Sequence, residues 1–296
     1  MECRLCGGRL EFEFDKFLLE RWKVKYFCCD ECGSLQTEVP YWLDLAYSSK
    51  GCNFDVGQGI RIINTWLRLT FFLKTIGFDD EKLCVDYGGS TGLFSRLMRD
   101  ADYNFYTHDK YEFPTFCDYF SLDSLEQKNV ALLSAFEVFE HFESPKKEIN
   151  RIFDLTPELV VFTTQTYDKQ LHDEHWPYLA SFCGQHIFFY TERSLQLIAH
   201  SRGYKVYRWS IFYFFVRKGS PYDDHSIFEK IESPSNEELA LLLEEIGWGG
   251  RRNIDDFNHA VEKYKVDIRF GNRAIRYFFM NLKFRSKKII YKLISS

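Results

Sequence analysis

The chain has 296 residues, 45% of them hydrophobic and 18% aromatic, which is enough to bury one α/β domain with additions at its ends. Its formal net charge of -5 gives no electrostatic reason to expect a nucleic-acid partner. No apolar run approaches the length of a membrane span and the first residues do not resemble a signal peptide, so we expect a cytoplasmic protein. In that compartment the nine cysteines are expected to be metal ligands or buried thiols rather than disulfides.

Four N-terminal cysteines form two C-x-x-C pairs, Cys3 with Cys6 and Cys29 with Cys32. Two such pairs supply the four soft ligands of a tetrahedral zinc site, and glycines follow each pair where a knuckle must turn. Cys28 adjoins the second pair and competes with Cys29 as a ligand, and four unrelated buried thiols are the alternative. Because four cysteines leave no open coordination position, we expect a structural zinc ion in a module of residues 1–50.

A glycine-rich turn stands at the centre of the chain. A helix is predicted from Ile60 to Ile76, where apolar residues recur at helical spacing and stop at Gly77. A strand, the turn Asp86–Gly92 and a second helix follow between Lys82 and Met98. The glycines of the turn permit a positive φ and a close approach of the backbone to a ligand. The free N–H groups at the start of the second helix favour a nucleotide-like ligand. The alternative is a turn that serves packing alone.

The strands after this turn predict a doubly wound sheet. The segment Asn104–Asp109 ends in an acid about twenty residues beyond the first glycine, where such folds place a carboxylate to bind ribose hydroxyls. A solvated loop aspartate is the alternative. Further strands are expected at Phe116–Phe120, Val130–Ala135 and Leu159–Thr164, with a crossover helix that begins near Pro145.

The later elements complete an α/β fold. Thr191 is expected to cap a helix that closes near Gly203, and the segments Tyr204–Trp209 and Ile211–Arg217 predict an antiparallel hairpin. The predicted fold is therefore a Rossmann-like, seven-stranded, mostly parallel sheet with an antiparallel hairpin at its edge. The domain that carries it is placed at residues 51–220, after the zinc module and before a helical extension at 221–296.

The C-terminal extension has two parts. A capping box from Ser235 to Glu238 predicts a helix that stops at Gly247. Beyond Asp267 basic residues interleave with apolar ones from Arg273 to Leu293. This basic amphipathic end is expected either to lie on an anionic membrane face, or to pack on the domain or on a second copy of the chain.

The turn Asp86–Gly92, the acid Asp109, the segment Ser134–His141 and the late hairpin together resemble the class I methyltransferases that use S-adenosylmethionine. The resemblance covers about residues 57–217, and Ser90 stands where the middle glycine of the loop usually is. It implies a loop that lies against the methionine part of the cofactor and an acid that holds the ribose. The cofactor-binding residues it implies are Asp86, Gly88, Gly89, Ser90, Gly92, Asp109, Phe136 and Glu137. For Glu137 and Glu140 the alternative is a pair of solvated side chains.

A narrower resemblance includes the N-terminus. A four-cysteine module joined to such a domain resembles the bacterial sugar methyltransferases of deoxysugar and surface-polysaccharide pathways, some of which methylate carbon and use a catalytic histidine. Gly184–Thr191 is similar to their His-Glu-His-aromatic segment, so that His186 matches the histidine and Gln185 replaces the acid before it. The resemblance implies His186 as the base, with His141 as a second candidate; a hydrogen-bonded core histidine is the alternative for either. The substrate-binding residues it implies are His172, His175, Trp176, Tyr178, Gln185 and Tyr190.

The predicted function is methyl transfer from S-adenosylmethionine to a sugar, either nucleotide-linked or part of a surface glycan. Two alternatives remain open: a methyltransferase for another small molecule, and a zinc-containing, methyltransferase-like scaffold or adaptor without catalysis. The expected partners are a small-molecule or glycan substrate and no nucleic acid. A homo-oligomer and peripheral contact with the inner membrane face remain open hypotheses.

Overall fold

The computed structural model describes residues 1–48, 57–122, 129–247, 252, 253, 255, 256 and 259. Its strands form two sheets, one of four strands built mainly from the N-terminus and one of six strands that forms the centre of the main domain. No helix in these ranges is both long enough and apolar enough to cross a bilayer.

The smaller sheet is antiparallel throughout. Strand β1 (Leu10–Leu18) pairs with β2 (Trp22–Cys29), and β2 pairs with β3 (Leu35–Thr37). Helix α1 (Leu43–Ser48) follows. The fourth strand, β8 (Phe188–Phe189), comes from far along the chain and pairs with β3. The N-terminal module is therefore completed by the segment that follows His186.

The larger sheet confirms the mostly parallel, Rossmann-like fold. Its strands are β4 (Cys84–Tyr87), β5 (Phe105–His108), β6 (Leu132–Phe136), β7 (Leu159–Thr163), β9 (Tyr204–Trp209) and β10 (Phe212–Arg217). Their order is β5-β4-β6-β7-β10-β9. The first four strands are parallel, and β10 is antiparallel to both of its neighbours, as expected of the predicted edge hairpin.

The helices cover both faces of this sheet. They are α2 (Gln58–Thr75), α3 (Leu93–Asp100), α4 (Pro145–Asp154), α5 (Glu192–Ser201), α6 (His225–Lys230) and α7 (Asn236–Ile246). Helices α2, α3, α6 and α7 bury apolar residues on one face, and α4 and α5 do so on the other. The predicted caps are confirmed, since Thr191 and Ser235 both form capping boxes and Gly77 has a φ of 62° just after α2.

The strand predicted at Phe116–Phe120 is wrong. These residues form turns in which the Phe120 N–H donates to the Cys117 carbonyl. Cys117 and Phe120 are buried without a strand, and the ring centroid of Phe120 lies 3.4 Å from the Arg99 guanidinium carbon, whereas Phe116 is exposed. The described residues contribute six strands to this sheet, plus one isolated parallel bridge from Thr107 to Ser121.

A third apolar cluster packs the smaller sheet against the segment between β7 and α5. It contains Tyr26 and Trp42 from the N-terminal module, Phe189 from β8, and Trp176 and Tyr178 from the segment that precedes β8. The N-terminal module is thus packed directly on the segment between β7 and α5. The basic amphipathic end predicted beyond Asp267 lies outside the described residues.

Candidate active site and cysteine cluster

The glycine loop connects β4 to α3 by a sharp turn. Gly88 and Gly92 have φ values of 74° and 76°, which a glycine adopts without steric cost. A Cβ atom at Gly89 would lie 2.5 Å from both Asp86 Oδ2 and Thr107 Oγ1. Glycine is therefore required at 88 and 92 for the backbone conformation and at 89 for the close approach of two strands.

Ser90 occupies the position where the family resemblance expects a glycine. It has a φ of 49°, in the left-handed region that costs a non-glycine residue about 1 kcal/mol or more. Its backbone N–H donates to Asp109 Oδ2 at 2.8 Å, which holds the residue in that conformation. The loop thus keeps a glycine-like shape with a serine in it.

Asp109 lies at the carboxyl end of β5, beside this loop. Its Oδ1 atom accepts backbone N–H groups from Tyr111 at 2.7 Å and Glu112 at 2.9 Å, in addition to the Ser90 bond on Oδ2. A carboxylate offers about four lone-pair positions, so about one remains, on Oδ2. The acid is rigidly oriented and can still accept a ribose hydroxyl.

Asp86 is an internal residue. It is 3% exposed, and the Ser134 hydroxyl donates to its Oδ1 atom at 2.7 Å. Burial raises the pKa of this carboxyl from 3.8 to about 7. The residue links β4 to β6 beneath the glycine loop.

The carboxyl end of β6 faces the same loop. Phe136 is half-buried there, and Glu137 is exposed with a φ of 52°. A Cβ atom at Gly88 would lie 2.7 Å from Val138 Cγ2, so the loop and the segment after β6 are in direct contact. The backbone conformation of Glu137 is held by its N–H, which donates to Thr163 Oγ1 at 2.9 Å.

Glu140, His141 and His186 form one group next to this contact. One potential ligand atom from each lies within 4.8 Å of the others. His141 Nδ1 is 3.1 Å from the Gln185 carbonyl oxygen, and His186 Nδ1 is 2.6 Å from the Tyr178 carbonyl oxygen. A carbonyl oxygen only accepts, so both Nδ1 atoms carry the hydrogen and both Nε2 atoms keep a lone pair.

Burial shifts the pKa values of Glu140, His141 and His186. Desolvation by the surrounding protein lowers the pKa of His141 to about 3 and that of His186 to about 4, so both imidazoles are neutral near pH 7. Glu140 is 0% exposed; the Tyr178 hydroxyl donates to its Oε1 atom at 2.7 Å, and within the described chain Oε2 has no hydrogen-bond partner. Burial, and then the neighbouring Glu137 carboxylate, raise the pKa of Glu140.

Sequence reasoning missed Glu140. A solvated side chain was the alternative for it, and the structure shows that it is fully buried. The available signal was the pattern Glu137-x-x-Glu140-His141 directly after a buried strand, where parallel sheets place ligand-binding side chains.

The predicted substrate-binding residues lie in different environments, and only some of them are near His141 and His186. Tyr178 and Gln185 contact the histidines, as described above. Trp176 is buried and stacks on His172 with ring centroids 4.1 Å apart. His175 is exposed, and Tyr190 is fully buried with its hydroxyl donating to the Phe139 carbonyl at 3.3 Å. Tyr190 is thus a core residue, and His175 a surface one.

The predicted zinc ligands lie together at the N-terminus. The sulfur atoms of the four residues are within 4.8 Å of one another, with Cys3 to Cys32 at 3.7 Å and Cys6 to Cys29 at 3.5 Å. Four thiolates at 2.3 Å from one Zn²⁺ lie about 3.8 Å apart, so the donor set and spacing fit a tetrahedral ion. The sulfur of Cys28 is instead 3.5 Å from the Gly33 carbonyl, outside the cluster.

Hydrogen bonds connect the cysteine cluster to the segment next to His186. Arg4, between the first two cysteines, donates from Nη2 to the Ile187 carbonyl at 2.5 Å. The Thr37 backbone N–H donates to the same carbonyl at 3.1 Å. These bonds, with the pairing of β3 and β8, hold the residue next to His186 against the N-terminal module.

Comparison with known families identifies the main domain. Residues 62–208 match the family model described as a methyltransferase domain. The chain carries a methyltransferase domain. The match spans the glycine loop, Asp109 and the group of Glu140, His141 and His186, so the predicted cofactor-binding and catalytic residues all lie within the methyltransferase domain. The comparison with curated proteins finds no match.

Several solved methyltransferases are similar to this methyltransferase domain in structure. Magnesium protoporphyrin IX methyltransferase from Synechocystis PCC 6803 with bound SAH is 14% identical, with a TM-score of 0.41 over 53% of this chain and 83% of that one. Human N-acetylserotonin methyltransferase with SAM is 14% identical, with a TM-score of 0.41 over 61% and 60%. The Burkholderia thailandensis 1,6-didemethyltoxoflavin-N1-methyltransferase is 10% identical, with a TM-score of 0.40 over 65% and 93%. Similarities at this level identify no substrate for this chain.

Proposed function

We propose that this methyltransferase transfers a methyl group from S-adenosylmethionine to a sugar, either nucleotide-linked or part of a glycan. One juxtaposition carries the proposal: the glycine loop of the donor side touches the segment after β6 that bears Glu140 and His141, through the contact of Gly88 with Val138. A donor on the loop and an acceptor at the histidines would then be neighbours, as a direct displacement requires.

On the donor side, the chain's own residues fit the cofactor. S-adenosylmethionine supplies an electrophilic methyl group on a positively charged sulfur. Gly88, Gly89 and Gly92 have no side chains, so the methionine part could lie close to the backbone of the loop at these positions. Asp109 keeps about one acceptor position for a ribose hydroxyl. Phe136 and Glu137 stand at the end of the adjacent strand β6.

On the acceptor side, His141 or His186 would accept the proton that a sugar hydroxyl or an acidic carbon must lose. Both Nδ1 atoms donate to backbone carbonyls, so both Nε2 lone pairs are available there. Support for a sugar comes from the segment around His186 and Gln185 together with the N-terminal cysteine module, which occur jointly in the bacterial sugar methyltransferases that this sequence resembles. His186 is the first candidate for contact with the acceptor, and His141 the second.

The four cysteines would hold a structural zinc ion. All four positions of a tetrahedral site are filled by thiolates, so the ion has no place for substrate. Its role would be to stabilise the N-terminal sheet, and through Arg4 and β3 the segment next to His186.

Two measurements test the proposal. Calorimetric titration with S-adenosylhomocysteine should show that the wild-type chain binds it and that Asp109→Ala binds it more weakly. If the wild-type chain does not bind it, the proposed methyltransferase activity at this site is refuted. Mass spectrometry of candidate sugar nucleotides, incubated with the protein and isotope-labelled cofactor, should show a labelled methyl group on one of them. Binding of the cofactor without transfer to any sugar would point instead to another small-molecule acceptor or to a scaffold without catalysis.

A further inference from the structure

We infer that Glu140, His141 and His186 bind a divalent cation. This cation site is separate from the cysteine cluster. It would hold the cation on the acceptor side, beginning two residues beyond the Val138 contact with the glycine loop.

The donor set is the first support. One carboxylate oxygen and two imidazole nitrogens lie within 4.8 Å of one another. Ligand atoms about 2.0–2.2 Å from a shared ion are about 3–4 Å apart, so a small closure of the group suffices. Oxygen and imidazole donors without sulfur suit Mn²⁺, Fe²⁺, Co²⁺ or Zn²⁺, and they differ from the four thiolates at the N-terminus.

The second support is an unsatisfied atom. Glu140 is 0% exposed, and its Oε2 atom is buried with no hydrogen-bond partner in the part of the chain that the structure describes. A buried carboxylate oxygen is unfavourable without a partner, and such atoms are rare in folded proteins. A cation bound to Oε2 would remove this cost.

The third support is the way in which the three side chains are oriented. His141 and His186 each donate Nδ1–H to a backbone carbonyl, and the Tyr178 hydroxyl donates to the other oxygen of Glu140. Metal-binding histidines usually donate their second ring N–H to a carbonyl or carboxylate, and metal-binding carboxylates are hydrogen-bonded in turn. All three side chains here have that arrangement.

The consequence for catalysis rests on the proposed function. A cation at this site would bind a hydroxyl oxygen of the acceptor and lower the pKa of that hydroxyl. The hydroxyl proton would leave to solvent, the alkoxide oxygen would form a bond to the methyl carbon, and the carbon–sulfur bond would break with its electron pair remaining on sulfur. Both imidazoles would then be ligands of the cation, and neither would act as the proton-accepting base that the sequence predicts at His186. The favoured methyl acceptor is a hydroxyl oxygen.

The test is a titration by MnCl₂ of the full chain loaded with one equivalent of zinc, which the four thiolates bind in preference, followed by electron paramagnetic resonance of free Mn²⁺. We expect one bound Mn²⁺ per chain in addition to the zinc. Glu140→Gln, His141→Ala and His186→Ala should each weaken Mn²⁺ binding about tenfold or more. His200→Ala, an exposed histidine on α5, is the matched control and should leave binding unchanged.

Folding of the variants is checked by their retained zinc and S-adenosylhomocysteine binding. The inference is overturned if the wild-type chain binds no Mn²⁺ at millimolar concentration, or if folded variants bind it as the wild type does. Its failure is distinct from failure of the proposed function. Mn²⁺ binding without methylation of any sugar would refute only the sugar, whereas sugar methylation by zinc-loaded, Mn²⁺-free protein with unchanged rate would refute only the cation.

Discussion

The backbone N–H of Ser90 donates to Asp109 Oδ2 at 2.8 Å, and this bond joins the glycine loop after β4 to the acid that ends β5. Asp109 therefore serves the loop as well as the ligand that the loop is proposed to bind. The bond also explains how a serine can replace glycine there, since it stabilises the left-handed backbone of Ser90.

Replacing Asp109 should weaken cofactor binding for both reasons. Asp109→Ala removes the acceptor for three backbone N–H groups and for the ribose. Hydrogen bonds to a charged group contribute about 1.5–3 kcal/mol each, so affinity for S-adenosylhomocysteine should fall about tenfold to a hundredfold. Calorimetry measures this. Glu244→Ala, an exposed acid on α7, is the control and should bind normally; equal affinity of the two variants would show that Asp109 does not contact the cofactor.

Gly89→Ala should disrupt the loop. The added Cβ would lie 2.5 Å from Asp86 Oδ2 and Thr107 Oγ1, both on buried strands, so the loop must move. We expect loss of detectable S-adenosylhomocysteine binding in calorimetry. The matched control is Gly59→Ala in α2, where a Cβ meets no atom within 4 Å. That change should leave binding intact and stabilise the helix by up to about 1 kcal/mol. Normal binding by Gly89→Ala would contradict the close packing.

Adjacent cysteines provide a sharp test of the zinc site. Cys29 lies in the cluster with Cys6, whereas the Cys28 sulfur points toward the Gly33 carbonyl. Metal analysis should find about one zinc per wild-type chain and per Cys28→Ser chain, and clearly less in Cys29→Ser. The reverse result would show that the second knuckle uses Cys28. Loss of zinc should also loosen the segment at Ile187, which Arg4 holds.

Features that depend on neighbouring residues in the sequence were predictable. The C-x-x-C pairs, the helix caps at Thr191 and Ser235, and the edge hairpin each follow from a few consecutive residues. The glycine loop belongs to the same group, because a strand, a turn and a helix in direct succession leave few arrangements. Ser90 shows the limit: the conformation it takes depends on Asp109, which lies on another strand.

Features set by distant contacts were not predictable. The Tyr178 hydroxyl donates to the Glu140 carboxylate and the Ile187 N–H donates to the Glu140 backbone carbonyl, and both partners of this buried residue are distant in the sequence. The two-residue strand β8 exists only because β3 offers it an edge. The segment Phe116–Phe120 has the composition of a strand, but it forms turns that place the Phe120 ring against the distant Arg99.

The buried Asp86 should make stability depend on pH. Its pKa is raised from 3.8 to about 7 in the folded protein. Because the folded chain then holds a proton that the unfolded chain has lost, the free energy of unfolding should fall as pH rises from about 4 to about 7. Asp86→Asn can still accept the Ser134 bond and cannot ionise. Variant minus wild-type stability, measured by urea denaturation, should therefore rise over that range, by at most about 4 kcal/mol, and level off above it. A difference independent of pH would show that Asp86 titrates normally.

The buried ion pair of Arg99 and Asp256 should anchor the C-terminal extension on the methyltransferase domain. The guanidinium donates from Nε at 2.8 Å and from Nη2 at 2.6 Å to the two carboxylate oxygens, and both side chains are almost fully buried. Asp256→Ala would leave a buried charge without its partner, which costs about 3–5 kcal/mol of unfolding free energy. Glu11→Ala breaks the exposed pair with Arg9 and should cost less than about 1 kcal/mol. Urea denaturation compares them, and equal losses would mean that the extension contributes no buried contact to the stability of the domain.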